Sequence, residues 1–238
     1  MNLPLVVAML FAAGLVRGFS GFGFAIAAVP LLSLLAPPAE IVPLVVLLQL
    51  CISLQGLRPA WAAADFASLR WLAPGAALAT PLGLWALAWL PEAPVRLLIA
   101  ALVGATVAVL AGGWRLPRTP RGPAVGLVGV LSGLCNGLAA MPGPPVIAYY
   151  LAVPLPAAAG RGAMMVLFLM TSVAAFVPLL LAGHLPDPVL VVAGLPAVWA
   201  GSTLGDYLDR RAPEAGYRRA ALWILGAAGV AAAARALI

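Results

Sequence analysis

The chain has 238 residues, 64% of them hydrophobic and only 8% charged, where a soluble domain carries about 25% charged residues. At about 20 apolar residues per crossing, the sequence predicts an all-α integral membrane protein with roughly eight to ten crossing or half-crossing segments and no sizeable soluble domain. All thirteen basic residues are arginine, and the net charge is +6. They are spread through short loops, which fits a lipid surface and argues against nucleic acid as a partner.

The first apolar run, Leu3 to Leu35, is about 33 residues long. That is too long for one untilted span and too short for two, and Gly14, Gly18, Gly21 and Gly23 interrupt it together with Arg17 and Ser20. It is read as retained rather than cleaved as a signal peptide, because no positive segment precedes it. Each interior glycine costs about 1 kcal/mol against alanine, so this run predicts a broken helix or a helical hairpin. After the turn at Pro37-Pro38, a span is expected over 41–57, carrying Gln49, Ser53 and Gln55. A polar loop follows over 58–70, then spans over 71–90 and 95–112. Trp61, Trp71, Trp85, Trp89 and Trp114 fall near span ends, where indole rings favour the membrane interface. The segment 113–123, with Arg115, Arg118, Arg121 and three prolines, reads as a linker between halves 1–112 and 124–238. A second interrupted run covers 124–151, and spans are expected over 163–182, over 189–207, and around Trp223 to the end.

The two halves resemble each other. An offset of 115 carries Gly14, Gly18 and Pro30 onto Gly129, Gly133 and Pro145, and Ser20 and Gly21 onto Cys135 and Asn136. Further on, an offset of 122 carries Pro74, Thr80 and Gly83 onto Pro196, Ser202 and Gly205, implying an insertion of seven residues. Two interrupted helices at matching places in two halves are a pointer to a transporter's binding site. The arginines discriminate between topologies. If each interrupted run crosses once, the twelve arginines other than Arg17 divide six against six and give no orientation. If each run turns back to its starting face, Arg58, Arg70, Arg115, Arg118, Arg121, Arg161, Arg210, Arg211, Arg218 and Arg219 share one side, and Arg96 and Arg235 the other. By the positive-inside rule, this predicts two inverted repeats, each an interrupted hairpin followed by three transmembrane helices, with linker 113–123 cytoplasmic.

The candidate site gathers at the two breaks. An arginine within an apolar run is expensive and usually functional, so Arg17 is a candidate counter-charge for an anion. Ser20, Gly21, Cys135, Asn136 and Gly137 lie at the breaks, and Gln49 and Ser53, four residues apart, share one face of the neighbouring span. Gly18, Gly23, Pro30, Gly133, Pro142 and Pro145 are candidate hinge or helix-break positions. Each has a plainer reading: Arg17 pairing with carbonyls at the turn, glycines allowing close packing, serines bonding to their own helix, Cys135 filling space. Cys51, Cys135 and the lone His184 form no metal-ligand pattern, and no phosphate-binding Gly-x-x-x-x-Gly-Lys motif occurs. Neither a metal, a cofactor nor an enzymatic activity is expected. Glu40 and Asp206 are the carboxylates nearest the apolar segments, both expected at interfaces.

The motif Gly14-x-x-x-Gly18-x-Ser20-Gly21-x-Gly23 followed by Pro30 resembles the opening of the sulfite exporter TauE/SafE family. Ser132-Gly133, Pro142-Gly-Pro-Pro145 and Tyr149-Tyr-Leu151 are similar to its second half, and the likeness covers essentially the whole chain. Leu138-Ala-Ala-Met141 departs from the glycine-rich run common there. The resemblance implies export of sulfite or an organosulfonate; with the two breaks it is read as a bacterial inner-membrane secondary transporter working by alternating access, the anion held at the two broken helices. Import or an anion channel on the same fold are the alternatives, and an intramembrane redox or assembly factor is the rival of another class. The expected partners are a small anion and the lipid bilayer, with a coupling proton and a homo-oligomer left open.

Overall fold

The computed structural model describes residues 2–112, 115–209 and 211, and every regular element among them is an α-helix. In chain order these are α1 (Leu3–Ser20), α2 (Phe24–Leu32), α3 (Pro38–Ser53), α4 (Leu57–Ala63), α5 (Phe66–Trp89), α6 (Glu92–Gly112), α7 (Pro123–Ala139), α8 (Gly143–Ala152), α9 (Ala157–Leu181) and α10 (Pro188–Asp209). Helices α1, α5, α6, α9 and α10 are long and apolar enough to cross a membrane. A sixth candidate is the pair α3 and α4, bent by 76° at Leu54–Gly56. Leu78, Trp85, Trp89, Leu181 and Val192 stand exposed on these helices, where hydrocarbon is the natural solvent. The final expected span, with Trp223, Arg218, Arg219 and Arg235, lies outside the described residues.

Both apolar runs are broken as expected, but at fewer positions. The first break is Gly21–Gly23 and the second Ala140–Pro142. Gly18 and Gly133, expected as hinges, lie inside α1 and α7. Pro30 sits inside α2, and Pro145 in the first turn of α8. The first turn of a helix tolerates proline because its N–H groups have no intrahelical acceptor anyway. Only Gly23 and Pro142 of the expected hinge set flank a break, as the N-caps of α2 and α8. The stretch 58–70, expected as a loop, forms α4 and the start of α5: Arg58 and Arg70 sit on exposed helix faces, and Asp65 stands between the two helices as the N-cap of α5.

The glycines inside the helices serve close packing. The two most extensive helix pairings are α5 with α7 and α1 with α10. A Cβ on Gly14 would collide with the carbonyl of Val198, and one on Gly18 with that of Ser202. On the other pair, Gly129, Gly133 and Gly137 lie against the carbonyls of Leu72, Ala76 and Thr80. Each pair therefore runs in the same direction with backbone against backbone, the small-residue packing that bilayers favour.

These contacts correct the repeat register. Residues 119 apart are equivalent here: Gly14 with Gly133, Gly18 with Gly137, and the left-handed C-caps Gly21 (φ 80°) and Ala140 (φ 52°). Helices α2 and α8, and α3 and α9, also start 119 residues apart, whereas α5 and α10 start 122 apart. The insertion is thus three residues, not seven. Glycines spaced every four residues at 129, 133 and 137 allowed the sequence alignment to slip by one helical turn.

Overpacking a tight contact typically costs about 1–3 kcal/mol. Gly133→Ala should lower the melting temperature of detergent-solubilised protein by several degrees. Gly104→Ala, where nothing lies within 4 Å of the added carbon, should leave it unchanged or raise it. Thermal unfolding of both variants checks this.

Candidate functional site

Arg17 lies one turn before the end of α1 and is 5% exposed. Its Nη1 donates to Ser202 Oγ on α10 at 3.1 Å, and its Nη2 to the Ile52 carbonyl at the end of α3 at 2.8 Å. The last carbonyls of a helix have no intrahelical donor, so α3 offers an acceptor where the guanidinium needs one. Arg17 thereby joins three helices. Two nitrogens account for two of its five N–H donors, and its side chain also lines a cavity of about 410 Å³.

That cavity lies between the end of α1, the α3–α4 bend, the start of α9 and the end of α10. Gly18 and Gly21, Gln55 and Arg161, Ser202 and Asp206 contribute to its wall. Arg161 reaches across from α9, its Nη2 donating to the Phe19 carbonyl at 3.0 Å and its Nε to the Ser20 carbonyl at 3.2 Å. It also stands 4.0 Å from Asp209, a partly exposed ion pair of the kind that contributes little to stability. Gly21 is required here twice over. Its φ of 80° is left-handed, and a Cβ would press on the Arg161 side chain at 3.0 Å. Two guanidinium groups thus flank one cavity at the first break.

The backbone at the break is not a free donor set. Ser20 Oγ donates to the Val16 carbonyl at 2.8 Å and accepts from the N–H groups of Gly23 at 2.8 Å and Phe22 at 3.3 Å. The Gly21 N–H returns to the Arg17 carbonyl at 2.6 Å. Positive charge at this site therefore comes from arginine side chains, while the exposed backbone groups are carbonyls already held by Arg161.

The other expected site residues are placed elsewhere. Gln49 donates to Ser53 at 2.9 Å, both buried within α3 and outside the cavity wall. Asn136, 2% exposed, donates to the Thr171 carbonyl on α9 at 2.9 Å and, more weakly, to Thr80 Oγ1 on α5 at 3.4 Å. It occupies the position of Arg17 in the other half: Thr80 stands for Ser202, and Thr171 for Ile52. Gly137 packs on the Thr80 carbonyl, and Cys135, half-buried, does not reach the cavity. The structure thus brings Arg17, Ser20 and Gly21 together and leaves Gln49, Ser53, Cys135, Asn136 and Gly137 apart from them.

Sequence reasoning missed Arg161, assigning it to a loop before a span. Its signal was the pair Gly160 and Gly162: Gly162 lets α9 pack on the Ala60 carbonyl of α4, which draws the arginine inward. Gln55, passed over for Gln49 and Ser53, lines the cavity from the bend and donates to Thr203 at 3.2 Å.

A family model, that of the sulfite exporter TauE/SafE, matches residues 6–232 of the chain. No curated protein and no solved structure matches it.

If the cavity is wet, Ala63→Cys, in a background with Cys51 and Cys135 replaced by alanine, should react with a negatively charged, water-soluble thiol reagent. Thr171→Cys, at a position fully buried beside Asn136, should not. Mass spectrometry of the labelled protein checks both.

Proposed function

This chain belongs to the sulfite exporter TauE/SafE family of multi-pass membrane transport proteins, and we propose that it is a secondary transporter of a small sulfur oxyanion or organosulfonate. The observation that carries this is the pair of arginines, Arg17 and Arg161, on one cavity at a broken helix. A sulfite or sulfonate head needs several donors and positive charge to leave water. Guanidinium groups suit such heads because their planar forks match pairs of oxygens. Arg17 supplies a buried charge and Arg161 a more exposed one. Ser202 and Gln55 add polar edges.

The proposed mechanism is alternating access by two inverted repeats. Three successive crossings, α3 with α4, α5 and α6, separate the hairpin α1–α2 from α7–α8. In this reading the odd number of crossings sets the two hairpins on opposite faces of a bacterial inner membrane, with the linker on the cytoplasmic side. The swapped pairings support this plan, since α1 of one half lies on α10 of the other and α7 on α5. Export is favoured over import by the family alone. A channel is distinguished by flux that does not saturate.

Uptake of labelled sulfite into proteoliposomes should saturate. A charge-assisted hydrogen bond contributes about 1.5–3 kcal/mol, so Arg161→Ala should weaken apparent affinity by about 10- to 150-fold, with Arg161→Lys intermediate. Saturable uptake indifferent to Arg161 would place the site elsewhere. A reporter fused within the 115–122 linker should be active only if retained in the cytoplasm; a periplasmic signal would overturn the inverted plan.

A further inference from the structure

We propose that a second cavity, between the start of α3 and the ends of α5 and α9, is the other mouth of the transport path, through which the anion passes at the opposite membrane face. The inference rests on the carrier reading of the Arg17 and Arg161 cavity and adds where the path leaves it. The second cavity has a volume of about 330 Å³. The start of α9 lines the first cavity and its end lines the second, while α3 lines the second with its start and meets the first at its bend. Arg161 in one wall and Ala182 in the other are about 30 Å apart along α9, at 1.5 Å per residue. That is the thickness of a bilayer's hydrocarbon core, so the two cavities open at opposite faces.

The register of 119 residues that relates the two halves also relates the two cavities. Ala39 and Val42 stand in the second wall where Ala158 and Arg161 stand in the first, and Pro178 and Ala182 where Pro59 and Ala63 stand. With the offset of 122 that relates α5 to α10, Leu84 takes the place of Asp206. Carriers built from inverted repeats open in turn at two faces around one site, and a pair of mouths at equivalent positions is what that plan requires. The two differ in depth. The first reaches Arg17 and Ser202, whereas their counterparts Asn136 and Thr80 are closed off, 2% and 0% exposed, with the amide bonded to the hydroxyl. The molecule is thus open toward Arg161 and shut at the other face. Opening there means parting α7 from α9, which Asn136 joins through the Thr171 carbonyl. The mouths also differ in chemistry, since Val42 and Leu84 present hydrocarbon at the positions where Arg161 and Asp206 present charge. The anion is held at the first mouth and slips through the second.

The test uses the full chain in right-side-out and inside-out membrane vesicles. Ala63→Cys marks the first mouth, and Ala182→Cys and Ala88→Cys, at exposed positions, mark the second. Each is treated with a membrane-impermeant thiosulfonate that leaves either a sulfonatoethyl or a trimethylammonioethyl group, and labelled sulfite flux is read after washing. Wild type treated alike is the control; should the reagents block it, Cys51 and Cys135 are first replaced by alanine. The anionic adduct at Ala182→Cys or Ala88→Cys should abolish most of the flux, and the cationic adduct should preserve or raise it. Both cysteines should react only from the face opposite to that at which Ala63→Cys reacts. Adducts of either charge acting alike, no effect of either, or reaction from the same face as Ala63→Cys would overturn this inference. So would reaction with a lipophilic maleimide alone, which would mark a groove filled by lipid. Any of these results, with saturable sulfite flux still sensitive to Arg161→Ala, would leave the anion site standing. Absence of saturable sulfite flux in untreated wild type would overturn the carrier reading, and this inference with it.

Discussion

The structure depends on helices approaching until backbone touches backbone. In water the hydrophobic effect would hold α1 to α10 with larger side chains. In a bilayer lipid tails are as apolar as leucine, so association draws on van der Waals contact and interhelical hydrogen bonds. Gly14 and Gly18 on one pair, and Gly129, Gly133 and Gly137 on the other, remove the side chains that would hold the helices apart. That proximity lets Arg17 reach Ser202 and lets Asn136 approach Thr80.

The same geometry occurs twice with different side chains. In one half the residue that ties three helices is a cation, and in the other it is an amide. Both use a carbonyl of the third helix, Ile52 or Thr171, as the principal acceptor. The cationic copy opens onto a cavity shared with Arg161 and Asp206, whereas the amide is enclosed among Thr80 and Thr171. A shared scaffold thus separates the structural duty of a buried polar clamp from the additional duty of presenting charge to a ligand.

The sequence made the membrane class, the two breaks and most spans legible, because apolar length and glycine clusters are local signals. It exposed Arg17 for the same reason: one charge among apolar neighbours stands out. The repeat was visible but slipped by a turn, since an i, i+4 glycine ladder aligns with itself at every turn. Arg161 was illegible because a charge at the edge of a span looks like any interfacial arginine, and its reach to the Phe19 and Ser20 carbonyls crosses 142 and 141 residues of chain. Gln49 and Asn136, expected at the site, bond to neighbouring protein groups instead, and a related reason hid that. Buried polar side chains need partners, but sequence alone does not say whether the partner is a ligand or a neighbouring helix.

The separation between Arg17 and Ser202, 185 residues, bears on how the protein is made. Synthesis at about 5–20 residues per second leaves α1 without α10 for roughly 10–40 s after it leaves the ribosome. During that interval its glycine face has no helix to meet and its arginine no hydroxyl, so the nascent segment must be sheltered by the insertion machinery or rest near the headgroups. The first half therefore cannot mature in order of synthesis. Its opening helix waits for the last described one, and an interrupted chain would present the quality-control machinery with an exposed intramembrane cation.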